Sequence, residues 1–322
     1  MKKFLGILLA AMLIFSFGCR GEGTETAVRV VVPDGAPALS IANIMKEKSV
    51  GGRETEVTIG VGQTDVVVSR VKSGEADLAI MPTNAAVALA KQGIGIELVT
   101  VNSDGLLYLM GKDSSVTEMS DLAGKVVKVI GEGQIPDLVF QYILKQNGLE
   151  VVKSDTAQAG KVALSYVTLG TEIVGGMKAG KVELGLLPEP VATNSVKAAG
   201  TAQIFDIQAE WKRAAETENG YPMSCLVVQK KFLEDEANVA YLKAFVEKME
   251  ENLTYVAQNT DEVVETMKGY ESAAITALTA ESVGRMNMTV VRADAAKTGV
   301  TAFCTKVGLP APVEGFFCSV LD

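Results

Sequence analysis

Short apolar, β-branched runs alternate along this chain with stretches whose apolar positions recur every three or four residues. Residues 28–32 form the first run, closed by Pro33-Asp34-Gly35, and residues 38–46 follow with Leu39, Ala42, Ile44 and Met45 at helical spacing. Residues 57–61 predict the next strand. Gly62-Gln63-Thr64 breaks it, and Thr64 is placed to cap a helix over 65–72. Residues 77–81 predict a third strand, whose exit Pro82-Thr83-Asn84 opens a helix over 85–91. Residues 96–101 and 106–110 predict two more strands.

The alternation then restarts. A turn at 121–125 feeds a strand over 126–130. A loop, Gly131-Glu132-Gly133-Gln134-Ile135-Pro136-Asp137, leads into a helix over 138–147 that Gly148 ends. Strands over 165–169, 183–187 and 202–207 flank a helix over 172–178, and Pro188-Glu189-Pro190 precedes another helix. The pattern changes at Tyr221-Pro222. Residues 223–229 read as a long strand and everything after them as helical, most clearly 232–257 with Leu242, Phe245, Val246, Met249 and Leu253. Such alternation builds βα units around mostly parallel sheets. The expected fold class is therefore α/β in two lobes, one from residues 28–108 and 225–322, the other from 109–224. Segments 106–110 and 223–228 are expected to cross between the lobes as a two-strand hinge. A ligand would sit in the cleft, at the carboxyl ends of strands.

The N-terminus departs from this pattern. Lys2-Lys3 precedes an apolar stretch over 4–17, about 14 residues, which is shorter than the roughly 20 helical residues that span a bilayer. Ser16-Phe17-Gly18-Cys19 follows. A basic start, a short apolar segment and small residues at the cut describe a secretory signal peptide over 1–18. A cysteine at that cut resembles a bacterial lipobox, which makes Cys19 the expected lipidation site, although Ser16 stands where leucine is commonest. Residues 19–27 then form a polar, Gly- and Glu-containing tether.

Charge and composition narrow the function. The chain has 30 basic and 39 acidic residues. Removing Lys2 and Lys3 with the signal leaves 28 against 39, a net charge of −11. No basic block is present, which argues against a nucleic-acid partner and leaves lipid as the expected membrane contact. Histidine is absent, so Ser-His-Asp and Cys-His catalysis and His-built zinc sites are excluded, and no metal or other cofactor is expected. Cys225, Cys304 and Cys318 lack CxxC spacing. In an exported chain Cys304 and Cys318 are the more natural disulfide pair; the alternative is three buried thiols acting as small hydrophobes.

Several motifs, taken in order, resemble the nitrate/sulfonate/taurine-type solute-binding proteins of ABC importers. They are Val32-Pro33-Asp34-Gly35-Ala36-Pro37-Ala38-Leu39, Ser73-Gly74-Glu75-Ala76-Asp77-Leu78-Ala79, Pro82-Thr83-Asn84, Asp121-Leu122-Ala123-Gly124-Lys125, Ala179-Gly180-Lys181-Val182-Glu183 and Pro188-Glu189-Pro190. The resemblance implies a periplasmic-binding-protein-like fold of type 2 and no catalysis. It implies a lipid-anchored, extracytoplasmic monomer whose partners are a small-molecule ligand and the importer's permease and ATPase subunits. The family's binders take sulfonates, nitrate, bicarbonate or pyrimidine vitamin precursors, so the ligand stays open. An enzyme or a ligand sensor on the same fold is the alternative.

Candidate ligand-binding residues follow from helix starts, where unpaired N–H groups face outward. The first loop offers Asp34, Gly35, Ala36 and Pro37; Thr64 begins the next helix; Pro82, Thr83 and Asn84 begin another; Gly131, Glu132, Gly133 and Gln134 form the third loop. Glu189 lies between two prolines, where a carboxylate can accept from an amine or a ring N–H. Tyr221, beside the expected hinge, offers a ring to stack on a planar ligand. Trp211 and Met286–Met288 are read as packing. None of these loops contains an arginine, which favours a neutral or mildly cationic ligand over a sulfonate.

Overall fold

The computed structural model describes residues 26–60, 64–112 and 115–321. Cys19 and the signal segment lie outside these residues, as does the side chain of Thr64. The chain first lays down β1 (Val28–Pro33), β2 (Ser49–Val50), β3 (Arg53–Gly60), β4 (Leu78–Pro82) and β5 (Ile96–Ser103). It then builds β6 (Leu107–Gly111), β7 (Val126–Ile130), β8 (Glu150–Lys153), β9 (Lys161–Val167), β10 (Leu184–Pro188) and β11 (Ala202–Asp206). It returns through β12 (Ser224–Gln229) and β13 (Met288–Arg292).

Two sheets result. The first has the order β13-β5-β12-β4-β1-β3-β2 and the second β11-β6-β10-β7-β9-β8. Strands β4, β1 and β3 run parallel, as do β10, β7, β9 and β8. The strands that enter or re-enter a lobe, β6 and β12, pair antiparallel with both neighbours. Helices flank both sheets, so each lobe is a mixed, mostly parallel α/β layer structure of the two-lobed type-2 periplasmic-binding kind.

Burial explains the strand sequences. In β1, Val28, Val30, Val31 and Val32 are all buried, because a parallel strand with helices on both faces has no solvent side. The long helix Glu236–Gln258 packs by one stripe, with Leu242, Phe245, Val246 and Met249 fully buried. Its Asn252 is also buried, where it donates to the Leu39 carbonyl and accepts from Asn43 N–H (2.8 and 2.9 Å), fastening the returning helix to the first lobe.

Three strands fall outside the sequence reading. β2 and β8 are short edge pieces, and β13 lies in the stretch read as wholly helical. β13 is a half-exposed edge strand whose partner, β5, is far away in sequence, so no local periodicity announces it. Segment 106–110 is also corrected. It does not cross between lobes: β6 pairs entirely within the second sheet, and the change of sheet falls at residues 104–106. Likewise β12 lies within the first sheet, so residues 215–223 carry the return. The expected pairing of Cys304 with Cys318 is not made: Cys304 is a buried thiol. Burial raises it to about 11, and the Cys225 thiol to about 12.

The two crossings touch. A Cβ on Gly105 would lie 2.0 Å from Gln208 Oε1 and 2.4 Å from Tyr221 Cζ, so only hydrogen fits between the passing chains. Asn287 donates to the Gly105 carbonyl, and its own carbonyl accepts from Asp104 N–H (3.1 Å). Behind them Trp211 is buried among Tyr142, Tyr221 and Phe303, with ring centroids 5.1, 5.4 and 5.7 Å away. Phe303 belongs to the first lobe's final helix, Ala293–Lys306, so this aromatic cluster spans the hinge. Gly105→Ala should therefore overpack the crossing. The expected result is a loss of about 1–3 kcal/mol in denaturant unfolding, with a changed Trp211 emission in the folded protein.

Candidate functional site

A cavity of about 620 Å³ opens between the lobes. The last residues of six strands line it: Pro33, Gly60 and Pro82 from the first lobe, and Ile130, Val167 and Pro188 from the second. Each of these strands hands over to a helix that starts beside the cavity, at Ala36, Thr64, Thr83, Ile135, Gly170 and Val191. Ser103 ends β5 and Ser224 begins β12, and their hydroxyls meet at 2.8 Å on the same floor.

Of the residues expected at the site, Asp34, Gly35, Ala36, Pro37, Pro82, Gly131, Glu132, Gln134 and Glu189 line this cavity. Asp34 is held firmly. One oxygen accepts from Gly35 N–H (2.8 Å) and the Ser272 hydroxyl, the other from the N–H groups of Ala273 and Ala274 (2.8 and 3.0 Å). The turn this creates puts Gly35 at φ 103°, where a side chain would be strained. Thr83 and Asn84 sit just behind Pro82, both buried. The Asn84 amide crosses to the other lobe and donates to the Gly133 carbonyl (3.4 Å), leaving its Oδ1 buried without a partner. Gln134 Oε1 is likewise buried and without a partner. Glu132 is half exposed and pairs with Lys153 at 2.6 Å.

Tyr221 is the departure from expectation. Its ring is fully buried in the hinge against Trp211 and does not line the cavity. The return crossing needs an apolar filler beside Gly105, and the ring supplies it. Burial, with Asp206 nearby, pushes its hydroxyl well above the usual tyrosine range.

Glu189 is 1% exposed. It accepts from Thr193 N–H (3.1 Å) and the Thr193 hydroxyl (2.9 Å), and Arg285 Nε lies 2.6 Å from it. Burial raises this carboxyl above the usual glutamate range, while Thr193 and Arg285 pull against that shift. Arg285 comes from the first lobe, on the short helix Ala280–Arg285, so the ion pair ties the lobes together. Its guanidinium also lies over the Tyr108 ring, 3.9 Å from the centroid, and Nη2 makes no hydrogen bond.

Sequence reasoning missed Arg285, because its partner is nearly a hundred residues away and nothing local marks it. It missed Asp137 and Glu172 as well, although both stand at helix-capping distance from the residues they bind. Asp137 accepts from Gly133 N–H (2.8 Å) and the Tyr166 hydroxyl (2.8 Å), and Glu172 accepts from Leu169 N–H (2.8 Å) and Thr168 N–H (3.2 Å). Asp65 lines the cavity from the first turn of the helix Thr64–Ser73 and makes no hydrogen bond or ion pair among the described residues. Among the described residues the lining carries four carboxylates, Asp34, Asp65, Glu132 and Glu189, and no lysine or arginine.

Arg285→Ala should leave the Glu189 charge buried and unpaired, at a cost of about 2–4 kcal/mol in unfolding free energy. Pairing Glu189→Gln with Arg285→Met should recover most of that loss. Denaturant melts of both variants measure the difference, and equal losses would mean that the cost does not come from an unpaired Glu189 charge.

Known structures share this architecture. A crystal structure described as an ABC transporter from Parabacteroides distasonis is 21% identical with a TM-score of 0.73, over 92% of this chain and 99% of that one. The ligand-binding component of an ABC-type import system from Staphylococcus aureus, with zinc bound, is 12% identical with a TM-score of 0.64, over 92% and 98%. The periplasmic aliphatic sulphonate binding protein SsuA from Escherichia coli is 13% identical with a TM-score of 0.62, over 89% and 90%. At these identities the likeness is one of fold. No curated protein sequence matches. The NMT1/THI5-like family model matches residues 54–263, more than half of the chain. The match runs through both sheets and most of the cavity's strand ends, and the chain belongs to the NMT1/THI5-like family.

Proposed function

We propose that the protein is an extracytoplasmic solute-binding lipoprotein that captures a small molecule between its lobes and delivers it to the permease and ATPase of an ABC-type importer. The observation that carries this reading is the convergence of strand ends from both lobes, Pro33, Gly60, Pro82, Ile130, Val167 and Pro188, on one cavity. A ligand there touches both lobes at once, so binding and lobe closure are coupled. Capture and release need no bond making, and the reading assigns no catalysis.

The remaining parts of the proposal come from the sequence. Signal cleavage before Cys19 and acylation of that residue would anchor a monomer, with residues 19–27 as its tether. The closing bodies would be 28–108 with 225–322 and 109–224. The descriptions of the Parabacteroides, Staphylococcus and E. coli proteins as transporter or import components support the same reading.

The test is a thermal-shift screen of the full chain, purified in detergent, against amines, nucleobases, vitamins, amino acids and sulfonates. A ligand at 100 times its dissociation constant adds about 2.7 kcal/mol, a shift of a few degrees. Trp211 emission should change with the same concentration dependence, because that ring packs between the hinge segments. A thermal shift without any change in Trp211 would dissociate binding from closure and count against the proposal.

A further inference from the structure

We infer that the solute held in this cleft is an amine-bearing organic molecule without an acidic group. The inference rests on the solute-binding reading and names its ligand class. A cleft built at helix N-termini is by default a place for anions, since terminal N–H groups and the dipole's positive end favour negative charge. Here carboxylates of the chain stand at those starts and hold N–H groups in or just ahead of them. Glu172 takes two N–H groups ahead of the helix Gly170–Lys178, and Glu189 takes one in the first turn of Val191–Ala199. Asp137 takes Gly133 N–H, two residues ahead of Ile135–Gln146, and Asp34 takes Gly35 N–H in the first loop and two more from Ala273 and Ala274. An incoming sulfonate or carboxylate would meet like charge where it needs donors.

The cavity wall points the same way. Its charged side chains among the described residues are all acidic, including Asp65 in the first turn of the helix Thr64–Ser73 and the half-exposed Glu132, which pairs with Lys153. The nearby cation, Arg285, is engaged by Glu189 and the Tyr108 ring. Beside the cavity, the buried polar atoms of Gln134 and Asn84 that lack partners are acceptors, Oε1 and Oδ1. Asn84 is 8% exposed, and its donor end is already committed to Gly133. Buried acceptors without donors are costly, and a ligand N–H can satisfy them. Leu106, Ile130, Ile135, Leu169, Val191 and Met223 supply apolar wall for the rest of the molecule.

The experiment is calorimetric titration of the full chain in detergent with matched pairs, benzylamine against phenylmethanesulfonate and butylamine against butane-1-sulfonate. Alongside it, mass spectrometry identifies the small molecule released when protein purified from cells is denatured. The expected result is amine binding at least tenfold tighter than the matched sulfonate, a released molecule bearing an amine and no acid, and at least threefold weaker amine binding in Asp65→Asn/Glu132→Gln. Binding of the sulfonates, or release of an acidic molecule, overturns the ligand class and leaves the solute-binding reading standing. If neither series binds and nothing is released, the solute-binding reading itself fails, and this inference with it.

Discussion

A strand that runs parallel to its neighbour must hand over to a helix at the same end of the sheet each time, and this constraint shapes the protein. Strands β1, β3 and β4 in one lobe and β7, β9 and β10 in the other all end at one cavity. Every such hand-over exposes unpaired N–H groups and the positive end of a helix. The topology alone therefore brings several partial positive charges together in the cleft, before any side chain is chosen.

What the side chains do with that field gives the site its character. Asp34, Asp137, Glu172 and Glu189 each accept main-chain N–H groups near a helix start. The cleft so lined differs in charge from one that leaves its helix ends open. Glu189 is the extreme case. It is buried behind Pro188 and accepts from Thr193, burial raises its carboxyl, and Arg285 comes from the other lobe to meet it. A residue that tempers one lobe's electrostatics thus also fastens the two lobes together.

The hinge rests on close approach rather than on charge. Residues 104–106 and the returning chain pass so near that Gly105 has no room for a side chain. Trp211, Tyr221 and Phe303 fill the space behind them. Asp104 is partly buried here too, and that burial raises its carboxyl despite Lys212 nearby. Tight packing at the crossings joins the two lobes beside the cleft.

Much of this was legible in the sequence, for a local reason. Strand and helix periodicity, the Pro33-Asp34-Gly35 and Pro82-Thr83-Asn84 hand-overs and the second lobe's Gly131–Gln134 loop are written in neighbouring residues, since turns and helix starts are decided within a few positions. They identified the α/β class and three of the segments that line the cavity. Tertiary structure alone decided what depends on distant partners. It made 288–292 an edge strand through pairing with β5, moved the crossing to 104–106, drew Tyr221 into the hinge and joined Glu189 to Arg285. In each of these the decisive neighbour lies far along the chain, and periodicity, which records only which face is buried, carries no information about what it is buried against.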